Sequence, residues 1–327
     1  MTNSLKNQSI WITWEIQPRN RSMSQLLDVN LHEIIVNKSR LAKYPILIVR
    51  TISILLNVKP KVLFVQNPSI VLAYLTALLK SIFSYYFVVD AHNAGIYPLE
   101  GRSKILNFFT RTICKRANMV IVTNQTLAEQ VRVWGGNPFI MPDPLPEYRI
   151  KKSSIQKSEN SKTFLLICTW ADDEPYLEII KAAESFPGDV ILKITGNYKK
   201  KLSQDFIDKL GKNIVLLGFV SEEQYVHELS CADFTIDLTT RDNCLVCGAY
   251  ESIAMEVPGI ISDTTVNKEV FPKGFIFSKN DASSVANALK VALTSNKEYL
   301  EDIASMKAMH NEKIRNLKEE INRKIFG

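Results

Sequence analysis

The sequence predicts an α/β fold built as two doubly wound parallel sheets, one in each half of the chain, and three observations carry that prediction. Short runs of consecutive apolar residues, of the kind that form strands buried on both faces, recur along the chain. Stretches of helical length and composition separate them, which is the alternation expected of βαβ units. The pattern stops at a polar, serine-rich segment, "EYRIKKSSIQKSENSK" at 147–162, and then begins again, so the second series reads as a second domain.

The first series of strands is "IWITW" (10–14), "VLFVQ" (62–66), "YYFVVDA" (85–91) and "MVIVTN" (119–124). Between the second and third lies "IVLAYLTALLKSIFSYYFVV" (70–89), which approaches the length of a membrane span. Lys80 interrupts it and its second half is β-branched and aromatic, so a helix followed by a strand is expected. "GRSKILNFFTRTICKRANM" (101–119) sets Arg102, Lys104, Arg111, Lys115 and Arg116 beside Ile105, Leu106, Phe108, Phe109 and Ile113. That composition fits either a basic amphipathic helix on an anionic membrane surface or a helix packed on the sheet with a solvated basic rim. The second series is "TFLLICT" (163–169), "VILKITG" (190–196), "IVLLGF" (214–219), "FTIDL" (234–238) and "GIISD" (259–263). A long charged stretch with few breakers then closes the chain as a helix. The expected division is a first domain over 1–148, a linker over 149–162, a second domain over 163–304, and a C-terminal helix over 305–327 that packs back on the first domain.

At 327 residues and 46% hydrophobic content the chain can bury two ordinary cores. The net charge of +6 is unevenly placed: residues 1–150 hold 17 Lys and Arg against 8 Asp and Glu, and residues 151–327 hold 23 against 26. A basic first half implies an anionic partner, whether nucleic acid, a lipid surface or a phosphorylated substrate. No basic stretch carries the interleaved aromatics or fold motif of a nucleic-acid reader, so no nucleic-acid partner is expected. Five cysteines, Cys114, Cys168, Cys231, Cys244 and Cys247, are odd in number and scattered, which reads as free thiols. Cys244 and Cys247 form a C-x-x-C, but none of the four histidines has a local ligand partner, so no metal is expected. The N-terminus has no signal-peptide core, which places the expected location in the cytoplasm.

Ligands of doubly wound sheets bind at the carboxyl ends of the strands. There is no G-x-G-x-x-G, no G-x-x-x-x-G-K-[ST] and no nucleophile elbow, which removes the main support for a dinucleotide dehydrogenase, a P-loop enzyme or a serine hydrolase. The stretch "LTTRDNCLVCGAYESIAMEVPGIISD" runs from the strand "FTIDL" to the strand "GIISD". Gly248 permits close backbone approach near a helix start, whose free N–H groups suit a phosphate. Glu251 is expected in the first turn, either as a carboxylate accepting two hydroxyl hydrogen bonds or simply as a complement to the helix dipole. Arg19 and Arg21, in "WEIQPRNRSMS", are either phosphate holders or exposed loop charge.

"CGAYESIAMEVPGIISD" resembles the donor-site segment of retaining GT-B glycosyltransferases of family 4, in which a glutamate opens an E-A-x-A-x-G-x-P-V-I-type run and binds the ribose of a nucleotide sugar. "NIVLLGFVSEEQYVHELSCADFTIDL" is similar to the family's N-V-x-x-x-G-x-V, Y-x-x-L, A-D progression, and "FVVDAHNAGIY" to its D-x-H-N segment. "VQNPS" resembles the Q-N-P-P-S segment of lipid-linked oligosaccharide mannosyltransferases. The resemblance implies two Rossmann-like domains facing a central cleft. It implies a UDP- or GDP-sugar donor, no required cofactor or metal, and transfer of a hexose with retention. Glu251 would bind the ribose, with Gly248, Ala249, Tyr250, Arg241, Gly196 and Thr169 around the donor. His92 would orient the transferred sugar at the catalytic centre, together with Asn243. Arg19, Arg21, Glu15 and Asn93 would lie on the acceptor or phosphate side. The acceptor would be lipid-linked or an oligosaccharide, handled at the inner face of the cell membrane through 101–119 in surface polysaccharide assembly.

Three departures accompany the resemblance. Asn243, preceded by Asp242, stands where the family's Glu-x7-Glu pattern has its first glutamate. The Arg and Lys that neutralise the donor diphosphate give way to "WADDEP" after "TFLLICT", leaving Arg241, Lys199 or Lys200 and the amides of 248–250 to compensate. The glycine-rich turn after the first strand is replaced by "WEIQPRNRSMS". A nucleotide-sugar epimerase or phosphorylase on the same fold, or a non-catalytic donor-binding subunit, are the alternative readings.

Overall fold

The structure is a computed structural model that describes residues 8–67, 69–148 and 161–327. Most of the expected linker, and Pro68 of "VQNPS", lie outside the described residues. The chain divides into two compact units, Met1–Pro144 with Glu312–Gly327, and Leu145–Asn311.

The first unit holds six parallel strands in the order β2-β1-β3-β4-β5-β6. They are β1 (Ser9–Thr13), β2 (Asn30–Glu33), β3 (Val62–Asn67), β4 (Tyr86–Ala91), β5 (Met119–Val122) and β6 (Pro138–Ile140). Side chains alternate across the sheet, so neighbours in sequence serve opposite cores. Ile10, Ile12, Leu63, Val65, Phe87 and Val89 face α2 (Arg40–Val58), α3 (Ile70–Phe83), α5 (Lys104–Arg116) and α6 (Gln125–Val133). Trp11, Phe64, Val88 and Ile121 face the other way, against Met23 and Leu27 of α1 (Pro18–Leu27) and Ile321 and Phe326 of the final helix. Trp11 and Phe64 stack there with ring centroids 5.4 Å apart. The short α4 (Asn93–Ile96) follows β4. Caps fix the helix starts: the side chains of Ser103 and Asn124 accept the amides of Leu106 and Leu127, an arrangement worth about 1 kcal/mol each.

The second unit repeats the plan with six parallel strands in the order β12-β11-β10-β7-β8-β9. These are β7 (Lys162–Leu166), β8 (Val190–Thr195), β9 (Ile214–Gly218), β10 (Phe234–Asp237), β11 (Gly259–Ser262) and β12 (Phe275–Ser278). One face packs on α7 (Tyr176–Glu184) and α12 (Ala282–Thr294) through Phe164, Leu192, Phe234 and Leu289. The other face meets α9 (Glu222–Cys231), α10 (Cys247–Met255) and α11 (Thr265–Val270), where Ile253, Ile261 and Phe271 are buried. The small helix α8 is Gln204–Asp208, and α13 runs unbroken from Asn296 to Phe326.

The segment 70–89 is α3 followed by β4, and among the described residues no helix is long and apolar enough to cross a membrane. Three strands, β2, β6 and β12, are additions to the expected set, and all three lie at sheet edges. The terminal helix begins at Asn296, nine residues before the expected 305.

Candidate functional site

In each sheet the strand order reverses direction at one place, between β1 and β3 in the first unit and between β7 and β10 in the second. Loops leaving the carboxyl ends of those strands diverge and leave a crevice, the usual ligand position in such sheets.

In the second unit the crevice is lined by the loop after β7 and by the turn and helix after β10. Asp237, the last residue of β10, is buried and accepts the Gly248 amide at 2.8 Å. A Cβ on Gly248 would stand 2.5 Å from Asp237 Oδ2, so only glycine lets α10 start this close to the strand. Burial pushes the Asp237 carboxyl up to about 8, and Glu251, Glu174 and Asp173 push the same way against the Gly248 hydrogen bond. Glu251 is the fifth residue of α10, one turn in, and not in the first turn. Its carboxylate accepts the hydroxyls of Tyr225 and Tyr148. Burial raises the Glu251 carboxyl, and those two hydrogen bonds oppose it. Both phenols are pushed above their ordinary range, by burial first and then by Glu251, so they remain donors.

The β7 loop holds Glu174 in an unusual way. Its carboxylate accepts the Thr169 amide at 3.0 Å, the Ala171 amide at 2.9 Å, the Thr169 hydroxyl at 2.7 Å and the Cys168 thiol at 3.2 Å. Trp170 between them is left-handed, φ 64°, with its indole N–H donating to Thr195 O at 2.9 Å. Asp173 accepts the Thr239 hydroxyl at 2.8 Å and pairs with Arg241 Nε at 3.2 Å, and Lys201 pairs with Asp172. Thr169, Arg241, Gly248 and Glu251 are thereby brought together through Asp173, Glu174 and Asp237. Asn243 lies in the turn ahead of α10.

Several expectations are corrected. The Gly248 amide is committed to Asp237 and the Ala249 amide donates to Val246 O, so these are not open phosphate donors. The Tyr250 ring is buried between Phe271 and His310, edge-on to both, and is a core residue. Gly196, φ 87°, donates its amide to Gly218 O, and a side chain there would collide with Cys168 O, so it serves backbone packing. Arg241, about half exposed, is paired through Nε with Asp173, so part of its charge is already matched by a carboxylate. Lys199 and Lys200 lie exposed on a short 3-10 turn after β8.

In the first unit the carboxyl end of β4 carries Asp90, fully buried, with His92 and Asn93 following it. Arg19 is buried as well, not loop charge: it pairs with Asp90 at 2.7 and 2.9 Å and with Asp143, and donates to Met141 O at 3.3 Å. With two carboxylates around it, Arg19 has no charge left for a phosphate, which corrects the phosphate assignment. Burial alone would raise Asp90, yet Arg19 and His92 outweigh it and hold the carboxyl well below its usual range. Arg21 is exposed and pairs with Glu33 at 2.9 Å, and Glu15 receives Gln17 Nε2 at 3.4 Å, so neither joins the Asp90 group. His92 Nε2 lies 3.5 Å from Asp90 Oδ2, too far for a well-formed hydrogen bond. It and Asn93 Oδ1, with Asn67 Oδ1 at the end of β3, are buried polar atoms without hydrogen-bond partners among the described residues. Such atoms call for an explanation, and a bound polar ligand is one. Among the described residues no group of three or more His, Cys, Asp or Glu is placed to hold a metal ion.

Two parallel six-stranded sheets with flanking helices, one per unit, are the GT-B fold. No family model matches the sequence, and no curated protein does. Among solved structures, Anabaena Alr3699/HepE in complex with UDP-glucose superposes with a TM-score of 0.70 at 11% identity, over 97% of this chain and 98% of that one. A glycosyltransferase from Rickettsia africae gives 0.69 at 12% identity, over 99% and 93%. The N-terminal domain of Candida albicans trehalose-6-phosphate phosphatase gives 0.65 at 14% identity, over 99% and 91%. At such identities the likeness is one of fold, and the differing names of the neighbours leave the chemistry to the site.

Proposed function

We propose that the protein is a glycosyltransferase that moves a hexose from a nucleotide sugar to an acceptor, with the donor held by the second unit and the acceptor by the first. The observation that carries this reading is Glu251, a carboxylate in the β7–β10 crevice that accepts two hydroxyl hydrogen bonds at once. That is the chemistry needed to hold the vicinal hydroxyls of a ribose. The sequence resemblance around 215–263 supports the same role. In this reading His92 orients the transferred sugar, and the unsatisfied His92, Asn93 and Asn67 atoms are where its hydroxyls hydrogen-bond. The leaving diphosphate is stabilised by directed donors without a required metal, and the configuration is retained.

The acceptor in this reading is carried on a lipid diphosphate at the inner face of the membrane. On α5, Ile105 and Phe108 are 70% and 63% exposed beside Lys104, Arg111 and Lys115, and Leu78 and Ile82 of the adjoining α3 are exposed too. Lys80, Lys115 and Arg116 line a groove of about 520 Å³ near the same helices. Apolar side chains flanked by cations suit an anionic interface. A non-catalytic donor-binding subunit is favoured by one observation, the excess of carboxylates over cations around the crevice, which leaves few cations to stabilise a departing diphosphate.

A thermal-shift titration with UDP, GDP, ADP and their sugar conjugates tests the donor role. A nucleotide that stabilises the wild type should bind Glu251→Gln about 10-fold or more weakly, the loss expected for hydrogen bonds to a charged group. Equal binding by both proteins would remove Glu251 from the donor site. Release of free nucleoside diphosphate with an acceptor present separates a transferase from a binding subunit.

A further inference from the structure

The donors around Glu174 converge on a single carboxylate. The amides of Thr169 and Ala171 flank a left-handed Trp170, and that inversion turns both N–H groups to one side of the loop, where the Thr169 hydroxyl joins them. Converging amides of this kind form an anion-binding concavity, the same device that cradles phosphates elsewhere. The concavity lies at the carboxyl end of β7, the central strand beside the reversal of strand order, and Thr169 at its rim is exposed.

The anion now inside it is held by neutral donors. Among the described residues no cation pairs with Glu174, and its titratable neighbours Asp173 and Asp237 are both acids, the second held protonated by burial. In the same crevice Glu251 is likewise engaged by protein groups, the hydroxyls of Tyr225 and Tyr148. A carboxylate thus fills an anion site and phenols fill a hydroxyl site. These are the two classes of group, oxyanion and hydroxyl, that a nucleoside diphosphate presents.

We infer that the amides of Thr169 and Ala171 with the Thr169 hydroxyl are the diphosphate subsite of the donor, and that Glu174 is an internal anion filling this subsite until a donor phosphate displaces it. The inference rests on the nucleotide-sugar reading of the crevice. It assigns the diphosphate to backbone and hydroxyl donors in place of a basic pair. It also makes donor affinity depend on how often Glu174 withdraws, since apparent affinity scales with the competent fraction.

The test compares the wild type with Glu174→Gln by titration calorimetry against UDP, GDP, uridine, guanosine and inorganic pyrophosphate. Glutamine carries no charge to compete with a phosphate and turns an NH2 group toward the loop donors. The nucleoside diphosphate that the protein accepts should bind Glu174→Gln about tenfold tighter, as expected when a competing internal state is removed, with its nucleoside unchanged. Glu174→Asp, whose carboxylate stops one methylene short, should shift affinity in the same direction by a smaller factor, and serves if the glutamine variant does not fold. Equal or weaker binding of the diphosphate by both variants, with the nucleoside unchanged, overturns the inference and leaves the nucleotide-sugar reading in place. Tighter binding of pyrophosphate by Glu174→Gln with no nucleotide bound by either protein supports the anion subsite and overturns the nucleotide-sugar reading. Absence of binding by every probe overturns both.

Discussion

Replacing Arg19 by methionine removes the guanidinium that pairs with both Asp90 and Asp143. Methionine replaces the aliphatic stem of the arginine, so what is lost is the guanidinium with its charge and hydrogen bonds. Asp90 is fully buried and Arg19 nearly so, and removing one partner of a buried pair costs about 3–5 kcal/mol because the other charge is left without compensation. Asp143 is partly exposed and can turn to water, so the cost falls mainly on Asp90. For a unit of this size each kcal/mol moves the midpoint by about 2–4 °C, so thermal melts at neutral pH should shift down by roughly 6–20 °C. The sign with pH follows from Asp90. In the wild type its carboxyl is held well below the usual range, so its contribution is present above the unfolded pKa and is lost as pH falls through the depressed folded value. Without Arg19 only His92 is left to oppose burial, so the carboxyl rises from its wild-type position and the folded variant takes up a proton at higher pH than the wild type does. The deficit should therefore shrink between about pH 7 and pH 4.5. Adding Asp90→Asn to the variant should recover most of the loss at neutral pH. A deficit under about 1 kcal/mol that does not change with pH is the behaviour of an exposed pair and would refute the reasoning.

Two further predictions concern the crevice and the membrane face. The Asp237 carboxyl, pushed up to about 8 by burial, keeps its proton in the folded state while the unfolded chain releases it near the ordinary range. Stability should therefore fall as pH rises from about 4 to about 8, and Asp237→Asn, which still accepts the Gly248 amide, should flatten that slope to the share left by the raised Glu251 carboxyl and exceed the wild type by at least about 1 kcal/mol at pH 8 in urea unfolding. An unchanged slope in the variant would mean that Asp237 ionises freely. Replacing Ile105 and Phe108 by serine should abolish co-flotation with vesicles containing anionic lipid while leaving the melting curve within about 0.5 kcal/mol of the wild type, because both side chains are exposed. Undiminished flotation would move any membrane contact away from α5.

The strands that could be read from sequence are those buried on both faces, because burial on both faces writes itself as an unbroken apolar run. Trp11, Phe64 and Val88 occupy one core while Ile10, Val65 and Phe87 occupy the other, so adjacent residues are apolar for independent reasons. Edge strands lack that constraint. β2 reads "NLHE", polar enough to pass for a loop, and β6 is three residues starting with proline. Each is defined by the backbone of its neighbour, β2 by pairing with β1 and β6 with β5. β12, "FIFS", is apolar but too short to stand out between helices.

The site was legible in residue type more than in partnership. Glycine at 248 marks a close backbone approach, and the structure has one, but the group approached is Asp237 eleven residues earlier and not a phosphate. Arginine at 19 marks an anion, and the anions are Asp90 and Asp143, 71 and 124 residues away, a separation at which chain order carries no information about contact. Glu251 announced a hydroxyl-binding carboxylate, and two hydroxyls are on it, from Tyr225 and Tyr148. Glu174 gave the least signal although its partners are only three and five residues off, because "ADDEP" has the composition of a solvated acidic loop. What distinguishes it is the left-handed turn at Trp170, a backbone state that a tryptophan seldom adopts and that composition does not encode. In each case the sequence shows the demand that a side chain makes, for a close approach, a counter-charge or a donor. The protein meets that demand internally wherever the fold brings a suitable group within reach, so a ligand's claim on such a site depends on how readily the internal partner yields.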